Sequence, residues 1–527
     1  MKPKQFSISK HLPVLFLLLF LGFFAHLGHV PLFDADEGVY SEVTREMVAN
    51  RDFTTAFLNG MPFFHKPPLF YWAQAASIKV LGLNEFGLRL PSAIAALLWI
   101  FSIFLFTRRY YDTRTAWHAA LFMGASLLIT LIGRAATPEA LLNLFLSLTL
   151  LNIYRFYDTG NRRHIYWTFM FAALGILTKG SIALLLPLAV SLTFFGAKKQ
   201  WRSLLALFFN PVGMIVFGLI LIPWYLGEYL LHGEAFLSDL LLLSRPEDLN
   251  AKLIGSSLPY YTYLFFIFIG MLPFSGILFT TILQGRKLLA DDLMKFAILW
   301  FFLAFLLIPL VQPKTVFALA YCFPPLFIIM ARAADMFRQS FNLFLWPLLF
   351  IASLLILPYL TPYILGSVEN EFVRNIVTGG AAYFDSFYKG TLGAVFLLLA
   401  ALTFIQPVPA PVKYSVLGLL FVSMINFLIL PALGNILQQP IKSAALLAKK
   451  DGLRVVKWNI AHPSFNVYAE MLTEVRAPQA GDTVLTNSSR LHDGAEFETL
   501  FKKHGIMLIR YPGEAAAKPG NPGDNNN

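Results

Sequence analysis

Residues Val14–Phe24, which read VLFLLLFLGFF, form an apolar run behind a short basic head, Met1–Lys10. Similar runs recur at residues 93–106, 296–310 and 392–404. With its flanks, each run reaches the roughly 20 residues that a helix needs to cross a bilayer. Because the basic head is followed by no small-residue cleavage site, we interpret the first run as an uncleaved span. The fold is therefore predicted to be a bundle of membrane-spanning helices.

The composition agrees with this prediction. The chain has 527 residues, of which 57% are hydrophobic and only 13% are charged. Soluble domains carry about 25% charged residues, so a soluble enzyme, a disordered chain and a nucleic-acid-binding domain are excluded. The single cysteine, Cys322, allows no internal disulfide. A polytopic membrane protein is the class that remains.

Apolar runs separated by charged breaks predict about thirteen spans. Their approximate bounds are 11–31, 90–107, 115–133, 138–154, 165–178, 181–196, 207–226, 260–281, 293–311, 315–332, 341–360, 390–406 and 413–434. If the N-terminus is cytoplasmic, the inside segments are rich in Lys and Arg and poor in acids, which is the usual orientation. An odd number of spans then places the C-terminal tail outside.

This topology divides the chain into three parts. Residues 1–434 form the membrane domain, with long outside loops at 32–89, 227–259 and 361–389. Residues 435–513 are predicted to be a small soluble α/β domain outside the membrane. Residues 514–527, rich in Gly, Pro and Asn, are predicted to be a disordered tail.

Alternating elements are expected within the small C-terminal domain. The predicted strands are Leu453–Ile460, Thr483–Thr486 and Ile506–Tyr511, and the predicted helices are Phe465–Glu474 and Ala495–His504. Such alternation is typical of a small α/β layer.

The first outside loop carries three acids within four residues, Asp34, Asp36 and Glu37, directly after the first span. Residues Glu42–Ala49 behind them are predicted to form a short amphipathic helix at the membrane surface. Carboxylates beside lipid are costly unless they are paired or used. The alternative is that the acids only solubilise the loop.

A rigid cation follows in the same loop. Lys66 is flanked by His65 and by Pro67 and Pro68, which prevent helix formation. A lysine among aromatic residues at the bilayer surface suits a lipid phosphate. A lysine that snorkels beside an aromatic belt is the equally simple alternative.

Single charges mark three short outside loops. These charges are Arg134 with Glu139, Lys179, and Lys314. Basic residues in outside loops oppose the charge rule, so each requires a local reason. Thr137-Pro138-Glu139 also has the pattern of a helix start, so capping is an alternative role for Glu139.

Four stretches together carry a family resemblance: DADEGVYSEVTREM (34–47), LNG with HKPPLFYW (58–72), FGLRLPS (86–92) and GILTKG (175–180). They resemble the bacterial aminoarabinose transferase branch of the protein O-mannosyltransferase-like superfamily. Members are GT-C glycosyltransferases that take a sugar from a polyprenyl phosphate on the periplasmic face. The resemblance implies an all-α integral membrane GT-C fold with about thirteen transmembrane helices and a small C-terminal α/β periplasmic domain.

The resemblance also implies roles for individual residues. Asp36 matches the family's essential aspartate, with Glu37 beside it, and Glu139 lies where many members have an aspartate, so these three are the catalytic candidates. Lys66 matches the lysine that contacts the donor phosphate, and Arg45 and Arg245 are further phosphate-binding candidates. Other substrate-binding candidates are Asp34, Tyr40, His65, Tyr71, Arg134, Lys179, Lys314 and Tyr321.

One departure from the family pattern follows Lys314. The tyrosine expected four residues later is Ala318, and Tyr321 lies about one turn further on. The donor or the acceptor is therefore free to differ from that of the aminoarabinose transferases.

The expected function is transfer of a sugar from a polyprenyl-phosphate donor to a lipid A-like or other cell-envelope acceptor, at the bacterial inner membrane and on its periplasmic face. The expected partners are the donor, a lipid or glycan acceptor and membrane lipids, and no nucleic acid. Alternatives are a protein O-glycosyltransferase of the same superfamily and a transporter or flippase for polyprenyl-linked lipid. A transporter should carry charges buried within its spans or helices broken by Gly or Pro near the bilayer midplane, whereas these charges lie at span ends.

The role of Asp36 and the need for a metal are left open. Asp36 either deprotonates the acceptor or positions it. No obligatory cofactor is expected, although Asp34, Asp36, Glu37 and Glu139 offer oxygen ligands suited to Mg²⁺ or Mn²⁺.

Overall fold

A computed structural model describes residues 8–64, 66–241, 259, 261–283, 291–308, 316–334, 340–405, 408–490 and 497–512. The helices of the first half are α1 (Ile8–Phe23), α2 (Asp36–Asn50), α3 (Leu69–Leu81), α4 (Glu85–Tyr110), α5 (Thr113–Ala125), α6 (Leu127–Arg134), α7 (Glu139–Thr159), α8 (Arg163–Lys179), α9 (Ile182–Ala197), α10 (Trp201–Phe208), α11 (Pro211–His232) and α12 (Glu234–Leu241).

The helices of the second half are α13 (Thr262–Gly270), α14 (Ser275–Leu283), α15 (Asp292–Leu307), α16 (Phe323–Ala333), α17 (Ser340–Ser367), α18 (Glu371–Ala381), α19 (Ser386–Phe404), α20 (Ala410–Met424), α21 (Leu430–Leu437), α22 (Gln439–Lys450) and α23 (Pro463–Ala469). The strands are β1 (Phe57–Leu58), β2 (Met61–Pro62), β3 (Val455–Lys457), β4 (Glu474–Val475), β5 (Thr483–Asn487), β6 (Glu498–Lys503) and β7 (Ile506–Arg510).

The fold contains several apolar helices that are long enough to cross a bilayer. Within the described residues, seven helices meet that test, and nine do so if each of two bent pairs is one span. The protein is thus a multi-pass membrane protein, and its all-α membrane fold with a small C-terminal sheet agrees with the predicted class. The count of thirteen spans stays a prediction.

Two predicted spans are broken. The stretch predicted as one span at 260–281 consists of α13 and α14, and the chain bends by 120° between them. In the predicted span 115–133, the chain bends by 63° between α5 and α6. Pro273 lies at the first break, where it removes a backbone donor and disfavours helix at the residue before it. The two breaks lie against each other, since the Leu127 amide donates to the Leu272 carbonyl at 2.8 Å.

The first outside loop is more ordered than the sequence indicated. The helix predicted at Glu42–Ala49 exists as part of α2, but its surface position was wrong. Glu42, Thr44 and Glu46 are buried, because α2 packs against α3 on one side and α23 on the other. The helix therefore lies inside the protein and not on lipid.

The C-terminal domain contains one five-stranded sheet in the order β4-β3-β5-β7-β6. The predicted helix Ala495–His504 is wrong, because residues 498–503 form strand β6, antiparallel to β7. The intervening His504 and Gly505 both have positive φ, at 46° and 82°. Two such residues form the tight turn that suits a twisted hairpin, so the local pairing overrides the helical pattern. The predicted tail at 514–527 lies outside the described residues.

Hydrogen bonds join this domain to the first outside loop. Asn59 donates through its side-chain amide to the Thr473 carbonyl at 2.7 Å and accepts from the Thr473 amide at 3.2 Å. The Tyr468 hydroxyl accepts from the Leu32 amide at 2.8 Å and donates to Glu85 at 2.9 Å. The first outside loop is thus bonded to the C-terminal domain and also packs against the helix bundle.

Candidate active site

The N-terminal turn of α2 places two predicted site residues on one face. Asp36 is its first residue, and Tyr40 lies one turn further on. The carboxyl of Asp36 is close enough to Glu139, Lys179 and Lys66 for their charges to act on it. Residues that are far apart in the sequence therefore meet around Asp36.

Glu139 and Lys179 form an ion pair at the same end of two neighbouring helices. Glu139 is the first residue of α7 and Lys179 is the last residue of α8, and the two side chains are only 6% and 10% exposed. Lys179 donates to Oε1 of Glu139. The other oxygen, Oε2, is buried and has no hydrogen-bond partner among the described residues, so it is available to a substrate.

Three tyrosines border the same site. The rings of Tyr40 and Tyr71 lie 5.9 Å apart between centroids, and Tyr321 is close enough for its charge state to affect Tyr40. The hydroxyls of Tyr71 and Tyr321 are buried, without a partner in the described part of the chain. Buried polar groups are rarely left unpaired in proteins, so these hydroxyls fit a site that binds a polar molecule.

The electrostatics of the site are set by burial and by the two acids. Burial raises the pKa of Asp36, the Glu139 carboxylate raises it further, and Lys179 and Lys66 oppose both effects. Burial also raises the pKa of Tyr40 well above its ordinary value, with smaller contributions from Tyr71 and Glu139. Tyr40 therefore serves as a neutral hydrogen-bond donor, while Asp36 is a stronger base than an exposed aspartate.

Glu37, predicted as catalytic beside Asp36, has a structural role. Its two oxygens accept from Arg89 at 2.8 and 2.7 Å, from the Ala136 amide at 2.6 Å and from the Phe33 amide at 2.8 Å. Its side chain is 4% exposed, like that of Arg89. One helix position separates Asp36 from Glu37, and this rotation turns Glu37 away from Lys179 and toward α4.

Asp34, predicted to bind substrate, joins the loop to the C-terminal domain. Its carboxylate accepts from the Ser464 amide at 3.0 Å and the Ser464 hydroxyl at 2.5 Å, and its Oδ2 lies 3.2 Å from His462 Nδ1. Gly38 makes this approach possible, because a Cβ there would come within 2.1 Å of the Asp34 carboxylate. Asp34 thereby occupies the N-terminal end of α23.

Arg45, predicted to bind the donor phosphate, is already paired. Its Nε and Nη2 each donate to Glu42 at 2.7 Å, and its side chain is 12% exposed. The charges of Glu46 and Glu470 also act on it. Arg45 lies about two and a half turns along α2 from Asp36, in an acidic environment that does not attract a phosphate.

Arg134 lines a cavity of about 310 Å³ together with Asp36. Most of the remaining wall is apolar and includes Phe317, Leu430 and Leu433. Arg134 donates to the Gly22 carbonyl at 3.1 Å. Asp34, Glu37 and Arg89 also line the cavity. It thus places three carboxylates and two guanidinium groups beside an apolar surface that suits acyl chains.

Three predicted residues, His65, Arg245 and Lys314, lie outside the described residues, so their proposed roles stay predictions. Asp34 and Glu37 are held by the bonds given above, which leaves Asp36 and Glu139 of the four suggested metal ligands. The described part of the chain contains no group of three or more His, Cys, Asp or Glu side chains arranged to hold a metal ion. The expectation that no cofactor is obligatory stays a prediction.

Two supporting features were missed from the sequence. Arg89, within the stretch 86–92, also donates to the carbonyls of Val30 and Pro31, at 2.6 and 2.9 Å, and so fixes the segment that leads into α2. Asn59 and Gly60, both with positive φ, form the turn of the β1–β2 hairpin. An Asn-Gly pair is a strong hairpin signal, and this pair lies in the stretch 58–72, which also contains Lys66.

The arrangement can be compared with known proteins. Residues 65–226 match the family model described as dolichyl-phosphate-mannose-protein mannosyltransferase. A crystal structure of ArnT from Cupriavidus metallidurans in the apo state superposes with a TM-score of 0.74, covering 95% of this chain and 98% of that chain at 18% identity. The chain has the fold of ArnT.

Two further similarities agree with that fold. The ArnT structure bound to undecaprenyl phosphate gives the same TM-score, 0.74, over 96% of this chain at 17% identity. The undecaprenyl phosphate-alpha-4-amino-4-deoxy-L-arabinose arabinosyl transferase of Pseudomonas paraeruginosa is 28% identical over 339 residues, which are 62% of this chain and 60% of the relative. The chain thus spans about three fifths of that transferase. The resemblance inferred from the motifs is confirmed.

Proposed function

We propose that this protein is a membrane glycosyltransferase that moves a sugar from a polyprenyl-phosphate donor to a lipid of the cell envelope. The observation that carries the proposal is the meeting of Asp36, Lys66, Glu139 and Lys179 at one end of the helix bundle. The fold supports it, since ArnT with the same fold was crystallised bound to undecaprenyl phosphate.

The cations act on the donor. As the bond between the sugar and the phosphate breaks, negative charge accumulates on the departing polyprenyl phosphate and positive charge on the sugar. Lys66 is the residue proposed to hold the phosphate, because its charge acts at the same site as Asp36. Fixed charges in a partly buried site stabilise such a transition state without reorganisation.

Asp36 acts on the acceptor. Its raised pKa makes it a better proton acceptor than an exposed aspartate, which suits general-base catalysis on a hydroxyl or an amine. If the acceptor is a phosphate, no base is required, and Asp36 would position a neighbouring polar group. Tyr40 lies close enough to Asp36 for the two to interact, and Tyr71 packs against Tyr40; both hydroxyls are proposed to orient the sugar.

The cavity favours a lipid acceptor over a protein. Its wall beside Asp36 is mostly apolar, with Arg134 as a cation within reach of an anionic headgroup. Protein O-glycosylation remains the second candidate because the matching family model describes protein mannosyltransferases. A flippase has less support, because the proposed site residues lie at helix ends, at Asp36 on α2, Glu139 on α7 and Lys179 on α8.

The proposed location is the bacterial inner membrane with the site on the periplasmic face. The distribution of Lys and Arg supports this orientation. The donor then reaches the site by diffusion in the outer leaflet. We further propose that no divalent cation is obligatory, which adding EDTA to the transfer assay would test.

The proposal is tested by a transfer assay with purified protein in nanodiscs. Undecaprenyl phosphate carrying radiolabelled aminoarabinose is incubated with lipid A or with an unfolded acceptor protein, and the label is followed by thin-layer chromatography and gel electrophoresis. We expect label on lipid A with the unaltered protein and none with Asp36→Asn. Label on protein alone would support the protein O-glycosyltransferase. Movement of the donor across the bilayer without transfer would support a flippase.

A further inference from the structure

A second cavity, of about 480 Å³, lies at the other end of the helix bundle. Its wall includes the guanidinium groups of Arg109, Arg155 and Arg163 and the ring of His164. Arg109 lies in the last turn of α4, Arg155 in the last turns of α7, and Arg163 begins α8. Three helices therefore each bring an arginine to one place.

This cavity is remote from the candidate active site. Glu139 begins α7 and Arg155 lies near its end, so the two are separated by roughly 24 Å of helix at 1.5 Å per residue. Lys179 and Arg163 stand at opposite ends of α8 in the same way. The cavity thus opens at the opposite membrane face, which the charge distribution predicts to be cytoplasmic.

The arginines are not neutralised by neighbouring acids. Among the described residues, none of the three takes part in an ion pair, and Nε of Arg155 is buried without a hydrogen-bond partner. Asp158 is the acid one turn after Arg155, and it accepts from the Tyr110 hydroxyl at 3.1 Å. Concentrated positive charge without a counter-ion is costly, so an anion bound there would stabilise the fold.

The remaining wall suits a lipid. Asn152 bonds to Nδ1 of His164 at 3.0 Å and holds the ring beside the arginines. Trp167, 36% exposed, and Phe171 lie further along α8 toward the membrane interior, with Leu148 on α7. Tryptophan at this depth is typical of the membrane interface, and apolar residues below a basic group match acyl chains below a phosphate.

From this arrangement we propose that the cavity binds the phosphate headgroup of an anionic phospholipid of the inner leaflet. Basic pockets between membrane helices on the cytoplasmic side are suited to such headgroups. Arginine is preferred for phosphate because its planar group donates two parallel hydrogen bonds. The site would tie α4, α7 and α8 together at this face, and it is independent of the proposed transfer reaction.

The test uses purified full-length protein in a neutral detergent. The unfolding midpoint is measured while dioctanoyl phosphatidylglycerol, dioctanoyl phosphatidylcholine or inorganic phosphate is added. We expect a saturable rise with phosphatidylglycerol and little change with the other two. An equal rise with phosphatidylcholine, or with inorganic phosphate, would overturn the proposal, because the site would then not select an anionic phospholipid.

Two double variants separate the cavity from general charge. Arg109→Gln with Arg163→Gln removes two cavity arginines, which are exposed enough for the fold to tolerate the change. Arg108→Gln with Arg162→Gln removes the same charge from adjacent exposed positions that do not line the cavity. We expect phosphatidylglycerol to bind about tenfold more weakly or worse to the first variant and normally to the second. If phosphatidylglycerol binds equally weakly to both variants, the effect comes from general surface charge, and the proposed site is wrong.

Discussion

Asp36 and Glu37 are neighbours in the sequence, yet the structure uses them in opposite ways. Glu37 accepts four hydrogen bonds, two of them from the buried Arg89. Asp36 faces Glu139, Lys179 and Lys66, where burial raises its pKa. A carboxylate whose bonds are all taken holds the loop in place, whereas one whose environment favours proton uptake is suited to chemistry. The comparison shows that an acidic cluster in a sequence can contain both kinds.

The largest expected effect is on transfer by Asp36→Asn. The change is nearly isosteric and removes the base or positioning group, so we expect a loss of about 10²–10⁴-fold in kcat. The unfolding midpoint should stay near that of the unaltered protein. The transfer assay and a thermal melt on the same preparation measure both. Near-normal turnover would remove Asp36 from the catalytic role and end the contrast with Glu37.

Glu37→Gln should have the opposite signature. It leaves the buried guanidinium of Arg89 without its counter-charge, a change that costs about 3–5 kcal/mol of folding stability. We expect a clearly lower unfolding midpoint, with the remaining activity following the amount of folded protein. If the protein keeps its midpoint but loses transfer, Glu37 belongs to the catalytic group after all.

Lys66→Met tests the cation on the donor side. Methionine keeps most of the apolar stem, so the change removes charge with little loss of packing. A charged hydrogen bond is worth about 1.5–3 kcal/mol, or roughly tenfold to a few hundredfold in kcat/KM for the donor. Lys66→Arg should recover only part of the activity, because a planar fork does not replace a compact ammonium. Initial rates are measured at varied concentrations of donor and acceptor. If Lys66 only snorkels, kcat/KM for the donor should stay unchanged.

The smallest effect is a pH shift in Glu139→Gln. The Glu139 carboxylate raises the pKa of Asp36, and Lys179 lowers it. The substitution removes the first influence and frees Lys179 from its pair, so both changes lower the pKa of Asp36. The acid side of the pH–rate profile should therefore move to lower pH, whatever the change in the maximal rate. An acid limb that moves to higher pH, or stays in place, would contradict the assigned contact.

Residue type and position selected the candidates that the structure places near one another. Lys66 was selected as a rigid cation among prolines and aromatic residues, and Glu139 and Lys179 as single charges in short outside loops. The charges of all three act on Asp36 in the folded chain. The sequence could not show that Arg45 is paired and not a phosphate ligand, because its ion pair with Glu42 depends on the burial of both side chains on α2. The partners of Asp34 could not be predicted, because His462 and Ser464 are more than four hundred residues away in the chain.

The order of residues was sufficient to establish the class of the molecule, a multi-pass membrane protein. Runs of apolar residues and the scarcity of charge follow from the low dielectric of lipid, which acts on every span separately. The division of labour between Asp36 and Glu37 required the folded chain. It depends on which side of α2 meets Arg89 and which meets Lys179, and such contacts are set by helix packing between segments distant in the sequence.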